Sequence, residues 1–327
     1  MNIFFPIELF ADWLTYNIFG LAEHTRFSEV VNFFIYDTIK IGLLLLVVNY
    51  VMAITRYYFP MEKARDILTK KRWNGLNYLL AALLGIVTPF CSCSSIPLFI
   101  GFLGAGIPIG ITFAFLISSP LINESSLYLF PAIFGMKVTI LYNLFGLAIA
   151  VMGGMLIQKL KVEKYVIPEL LKFKSRSQIE LDNGGSKLSF PQLISYFWKD
   201  GMKITKQIFP YIILGVGAGA IIHGFVPRSL VENYLSAESL WTVPLAVVLG
   251  VPLYANSVSV LPVMEAMTGK GAPIGTVLAF MTAVVALSLP EALILKKVMR
   301  WQLLAIFFGI TIFGIILMGY LFNLILN

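Results

Sequence analysis

Residues 91–115 read CSCSSIPLFIGFLGAGIPIGITFAF, and residues 256–280 read NSVSVLPVMEAMTGKGAPIGTVLAF. Laid over each other at a constant offset of 165, they agree at ten of 25 positions without a gap. The agreements are Ser92/Ser257, Ser94/Ser259, Pro97/Pro262, Gly104/Gly269, Gly106/Gly271, Pro108/Pro273, Ile109/Ile274, Gly110/Gly275, Ala114/Ala279 and Phe115/Phe280. Two flanking matches keep the same order. Upstream, Asp37-Thr38-Ile39-Lys40-Ile41 matches Asp200-Gly201-Met202-Lys203-Ile204 at offset 163. Downstream, Ser119-Pro120 and Asn123-Glu124 loosely match Leu289-Pro290-Glu291. The chain therefore reads as two related halves.

Each half carries a break. In the first, Pro89 and Pro97 bracket a polar stretch; in the second, Pro252 and Pro262 do. Proline removes a backbone donor and clashes with the preceding turn, so neither stretch is expected to continue as a regular helix. Gly110 and Gly275, with those four prolines, are the expected structural hinges.

Composition says where such a chain lives. Of 327 residues, 58% are hydrophobic and only 13% charged; the mean hydropathy is +0.86. Soluble domains carry roughly a quarter charged residues. Apolar segments fall at about 36–58, 75–91, 94–104, 107–122, 137–157, 204–225, 241–263, 272–295 and 301–325. The run of about 20 residues that spans a bilayer recurs among them. Segments 75–91 and 94–104 read as one interrupted element, which makes eight. The first 22 residues are apolar but broken by Pro6, Glu8 and Asp12. They read as a helix lying in the interface, without the basic region or cleavage site of a signal peptide.

Lys and Arg concentrate in cytoplasmic loops. Loop 59–74 holds five of them, 158–199 eight and 296–300 three, whereas 1–35, 123–137 and 226–240 hold one each. The first three loops are thus expected inside, and the net charge of +7 reflects topology rather than nucleic-acid binding. Segment 36–58 then leads to an inside loop and its counterpart 204–225 to an outside one, so the halves are inverted. The expected fold is an all-α integral membrane protein of the inner membrane. It has two inverted-topology repeats of about four helical elements each, with a broken or re-entrant segment per half. Its parts are an interfacial segment 1–35, repeat 1 over 36–157, a basic cytoplasmic linker 158–199 and repeat 2 over 200–327.

Interrupted segments at corresponding positions of inverted halves point to a transporter's binding site. The expected solute-binding residues are Cys91, Ser92, Cys93, Ser94 and Ser95 in one half. In the other they are Tyr254, Asn256, Ser257 and Ser259. The helix resuming after each break aims its free N–H groups at the gap, which suits an anion or an electron-rich solute. Serines there also serve as self-caps and close helix contacts. Cys91 and Cys93 align with Asn256 and Val258, so thiols occur on one side only. Two thiolates in an unwound stretch could take a thiophilic species; equally, they could be small apolar core residues. Glu124 and Glu291 are the candidate proton carriers, because ionisable groups at membrane depth are costly. Interfacial helix-end acids are the alternative. Asp37/Lys40 and Asp200/Lys203 read as intrahelical ion pairs, His223 as an interfacial residue, and Tyr142 and Asn143 as cavity-lining polar groups.

Two cysteines and two histidines give no disulfide framework, resident metal site or cofactor site, and no phosphate-binding loop is present. No nucleophile–base pair argues for an enzyme. The strings Cys-Ser-Cys-Ser-Ser-Ile-Pro (91–97), Gly-x-Gly-x-Pro-x-Gly (104–110), Ser-Ser-Pro-Leu-Ile-Asn (118–123) and Ser-Leu-Pro-Glu (288–291) together resemble a family of bacterial predicted permeases. That family includes the YraQ-like proteins and the ArsP exporters of trivalent organoarsenicals. The resemblance covers about 36–325 and implies a multi-pass permease of about eight helices. The expected function is secondary transport: proton-coupled efflux of a small solute, with a thiophilic species such as a trivalent organoarsenical as one candidate. A passive channel or small-anion uptake protein is the alternative. The expected partners are the bilayer, the solute and, in one arrangement, a second copy as a homodimer.

Overall fold

A computed structural model describes residues 5–22, 25–58, 75–87, 92–167, 189–225, 241–253, 260, 263–264, 267–268 and 271–326. All regular elements among them are helical. They are α1 (Phe5–Asp12), a π-helical turn (Trp13–Ile18), α2 (Arg26–Tyr58), α3 (Leu76–Val87), α4 (Ser92–Gly104), α5 (Ile109–Leu121), α6 (Glu124–Tyr128), α7 (Phe130–Ile133) and α8 (Gly135–Lys159). After a 3₁₀ turn (Glu163–Tyr165) come α9 (Phe190–Phe225), α10 (Thr242–Gly250), α11 (Ile274–Ala286), α12 (Leu289–Val298) and α13 (Trp301–Leu326). Among the described residues, three stretches are long and apolar enough to cross a membrane: Phe27–Val51, Gly135–Lys159 and Trp301–Leu326. Ile274–Ala286 and Glu291–Val298, bent by 49°, make a fourth if taken as one span.

Three boundaries differ from the sequence reading. Helix α2 begins at Arg26, inside the segment assigned to the interface; Thr25 starts it, its hydroxyl accepting the Ser28 N–H at 3.2 Å. Helix α9 begins at Phe190, inside the basic linker. Ser92 to Pro97 belong to α4 rather than to an unwound stretch. Pro97, the sixth residue of α4, removes one backbone donor without ending the helix.

The chain forms two compact units. One comprises Met1–Leu44, Phe209–Ile294 and Ile312–Asn327; the other comprises Leu45–Ile208 and Leu295–Thr311. In the second unit α5 is the central element, with every residue buried. It packs on α3, α4 and α8. Its rings interlock edge to face: Phe113 with Phe99 at 5.0 Å and Phe115 with Phe102 at 5.2 Å. Phe307 of α13 adds a second ring contact to Phe113 at 5.6 Å. In the first unit α11 is the corresponding buried helix and packs on α10.

The same joint precedes both buried helices. Gly106 (φ 79°) and Gly271 (φ 82°) adopt the left-handed conformation that ends a helix. Ile107 N–H donates to Phe102 O at 3.1 Å and Gly106 N–H to Leu103 O at 3.0 Å. At offset 165, Ala272 N–H donates to Met267 O and Gly271 N–H to Thr268 O, both at 3.0 Å. Pro108 (φ −53°, ψ 138°) and Pro273 (φ −57°, ψ 133°) then open the next helix.

Glycines let the neighbouring helices approach. A β-carbon on Gly110 would strike the Gly154 carbonyl, and one on Gly275 the Gly319 carbonyl. A β-carbon on Gly85 would stand 2.8 Å from Phe115 O, and one on Gly250 3.0 Å from Phe280 O. Each pair of contacts repeats at offset 165. The repetition matches α3 to α10 and α8 to α13 as well as α5 to α11. The buried face of α8 (Val138, Tyr142, Gly146, Ala150, Gly153, Gly154, Ile157) recurs on α13 as Leu303, Phe307, Thr311, Ile315, Met318, Gly319 and Phe322.

Helices α2 and α9 pack antiparallel within each unit. In the first unit, the Phe34 ring lies over Gly217 and the Phe209 ring over Gly42. In the second, Asn49 Nδ2 donates to Thr205 Oγ1 at 3.0 Å, Gly201 rests on the Tyr50 backbone, and Tyr57 meets Phe197 at 5.5 Å. As α2 numbers rise, α9 numbers fall.

The segment after α8 is tied down too. Val166 and Met299 form an antiparallel bridge. Ile167 N–H donates to Val298 O at 2.9 Å and Arg300 N–H to Tyr165 O at 2.8 Å. The end of α8 thus lies beside the start of α13.

Candidate functional site

The structure reaches only part of the expected binding stretch. Pro89, Cys91, Tyr254, Asn256, Ser257, Ser259 and Pro262 lie outside the described residues. The backbones of Ser92, Cys93, Ser94 and Pro97 form the beginning of α4, while their side chains lie outside the description. Ser95 is fully buried in that first turn. Pro252 follows the end of α10 and is exposed. Among the described residues, no group of three His, Cys, Asp or Glu could hold a metal.

Two sites near the buried helices are well defined. At the start of α5, the Gly110 N–H donates to Gln158 Oε1 at 2.9 Å. At the matching start of α11, Asn323 Nδ2 donates to Thr276 Oγ1 at 3.2 Å. Pro108 and Pro273 cannot cap with a side chain; Gln158 of α8 supplies the cap for α5, whereas Asn323 of α13 meets the Thr276 hydroxyl rather than a backbone N–H. Gln158 also donates through Nε2 to Glu163 Oε1 at 3.3 Å.

A polar cluster ends each buried helix. After α5, Asn123 Oδ1 accepts the Ser126 N–H at 3.1 Å and so caps α6. Ser126 Oγ lies 2.8 Å from Asn123 O and 3.1 Å from Asn143 Oδ1. Asn143 Nδ2 donates to Thr139 O at 2.8 Å. Tyr142 donates its hydroxyl proton to Leu121 O at 3.1 Å. After α11, Ser288 stands before α12 with its Oγ 3.4 Å from the Glu291 N–H. Asn123/Ser288 and Ser126/Glu291 both obey the offset of 165, so each cap has a counterpart. Glu124 opens α6, its side chain outside the description; its counterpart at that offset is Leu289, not Glu291. Ser126 is 1% exposed and Glu291 0%.

Glu291 is therefore an acid closed off from solvent in the first turn of α12, where the helix dipole favours negative charge. Tyr142 and Asn143 do join a polar cluster, but one that fastens the α5–α6 corner to α8. Gln158, Asn323 and Ser126 were not singled out in the sequence, and Asn123 only as part of a motif. The offset already found would have paired the first two, had it been carried on to α13.

Residues 26–324 match the family ArsP_1, described as predicted permease. A UPF0718 protein of Methanocaldococcus jannaschii is 22% identical, with 77% of this chain and 83% of that protein covered. The UPF0718 protein YcgR of Bacillus subtilis is 28% identical over 40% of this chain and 44% of its own. No solved structure gives a significant match.

Proposed function

The chain belongs to this family of predicted permeases, and on that premise we propose that it is a secondary transporter built from two inverted repeats. It expels a small solute at the expense of the proton gradient, without covalent change to the solute. The carrying observation is the doubled joint, Gly106-Ile107-Pro108 and Gly271-Ala272-Pro273, each leading into a buried helix.

Inversion has two supports. Helices α2 and α9 are counterparts at offset 163 and pack antiparallel within each unit. Helices α8 and α13 are counterparts at offset 165, and the bridge holds the end of one beside the start of the other. Two spans so joined cross the bilayer in opposite senses. The pairing of 165–167 with 298–300 also supports the reading that the two basic segments share a cytoplasmic side. Eight membrane elements then follow from the four in each half.

In this reading the residues that bind the solute are those of the first break, 91–95, and of its counterpart in sequence, 254–259. Cys91 and Cys93 make that site favour thiophilic solutes such as a trivalent organoarsenical, and Glu291 carries the coupled proton. Everted membrane vesicles test it, with a trivalent methylarsenical as probe. Uptake driven by a proton gradient is expected for the wild type and not for Cys91→Ser/Cys93→Ser. Full uptake by the serine variant removes the thiol mechanism. Flux indifferent to an uncoupler favours a passive channel that binds solute at the α4 N-terminus.

A further inference from the structure

The bridge between Val166 and Met299 does more than join two segments, because of what it carries. Residues 159–167 contain Lys159, Lys161 and Lys164, and 296–300 contain Lys296, Lys297 and Arg300; the one acid among these positions is Glu163. Lys159, Lys161, Lys164, Lys296 and Arg300 are exposed. Lys161 has φ 48°, making it the one non-glycine residue of positive φ among the described residues. L-residues adopt that conformation rarely and at a cost. Here it turns the chain back from the end of α8 so that 165–167 can pair with 298–300. Two basic stretches remote in sequence thereby become one pinned platform. Charge topology alone would leave them as separate loops.

The position of the platform selects its partner. It sits where the apolar stretch Gly135–Lys159 ends and Trp301–Leu326 begins. Trp301 is 67% exposed and Leu160 49%; tryptophan favours the headgroup level of a bilayer. Lys and Arg donors at that height meet phosphate oxygens, and anionic leaflets attract juxtamembrane basic clusters. We infer that this platform binds the headgroups of anionic phospholipids. The inference rests on the reading that α8 and α13 cross the bilayer. Glu163 ties the platform to Gln158, and Gln158 to the start of α5, so an occupied platform steadies the buried helix of its unit.

The test uses the full chain in nanodiscs of phosphatidylcholine, alone or with a minority of phosphatidylglycerol. The wild type is expected to melt several degrees higher with phosphatidylglycerol, and high salt should shrink the difference through screening. Lys161→Gln/Lys164→Gln/Lys296→Gln/Arg300→Gln should lose the difference while melting normally in phosphatidylcholine. Lys70→Gln/Lys71→Gln/Arg72→Gln should keep it. If the fourfold variant does not fold in phosphatidylcholine, Lys161→Gln/Arg300→Gln is read instead, with loss of at least half the difference expected. A platform variant that retains the full difference overturns the inference, as does an equal loss in the 70–72 variant. Inorganic phosphate and glycerol phosphate are added to phosphatidylcholine discs as further arms. Stabilisation by either at matched concentration replaces the lipid with a soluble phosphate ligand and likewise overturns it. Reporter fusions after Ile167 and at 226–240 test the spanning reading separately, by giving opposite sides.

Discussion

Gln158 Oε1 accepts the Gly110 N–H at 2.9 Å, so the buried helix α5 is capped by a side chain from α8. Asn323 stands at the matching place beside Gly275 and meets Thr276 instead. The shorter Asn side chain goes with a neighbouring hydroxyl that Ile111 does not offer in the first half.

Replacing Gln158 by Leu strands the Gly110 N–H. An unsatisfied buried donor costs about 1–3 kcal/mol. The Leu variant is expected to lose that much stability in detergent unfolding, and Gln158→Glu, which keeps an acceptor, to lose less. Equal losses would show that the bond contributes little beyond packing.

The glycine approaches predict a matched pair of failures. Gly110→Ala and Gly275→Ala each push a methyl group into a carbonyl of the neighbouring helix. Overpacking of this kind costs about 1–3 kcal/mol. Gly309 in α13 has no atom within 4 Å of the same probe position, so Gly309→Ala should be neutral or gain up to about 1 kcal/mol from helix propensity. Thermal melting of the three variants compares them directly.

Antiparallel packing of α2 on α9 can be read by cross-linking. In a Cys91→Ser/Cys93→Ser background, Gly42→Cys with Phe209→Cys should cross-link under mild oxidation. Gly42→Cys with Gly201→Cys should not. The reverse result would mean the two helices run parallel, and the inverted arrangement would fail with it.

Glu291 should matter to coupling more than to folding. Glu291→Gln keeps the size and backbone of the first turn of α12. The variant is expected to melt near the wild type yet lose transport driven by a proton gradient. Retained gradient-driven transport would move the proton to another group.

Much of this was legible because backbone-determined residues repeat. Gly106/Gly271 and Pro108/Pro273 fix the same turn whatever surrounds them, so their pairing could be read from the letters, although the interruption itself was expected at 89–97 and 252–262. Helix α13 as the counterpart of α8 could not. Only Gly154/Gly319 and Leu156/Leu321 are identical over that length, because a buried face conserves shape while exchanging Tyr142 for Phe307 and Ala150 for Ile315. The start of α9 was missed since Lys187 and Lys199 made the stretch before 200 look like a basic loop; the helix instead carries Lys199 on an exposed position. Pairing Glu124 with Glu291 followed chemical likeness, where the constant register pairs Glu291 with Ser126.

The bridge from Val166 to Met299 also sets an order of events in synthesis. About 130 residues of chain separate its two sides, and a ribosome adds residues at roughly 5–20 per second. The first side therefore waits on the order of ten seconds for its partner to emerge. During that interval α8 is already made while the clasp beyond it stays open. The nascent first half must hold its place in the membrane by packing α5 against α3, α4 and α8, and the arrival of residues 298–300 is the step that locks it.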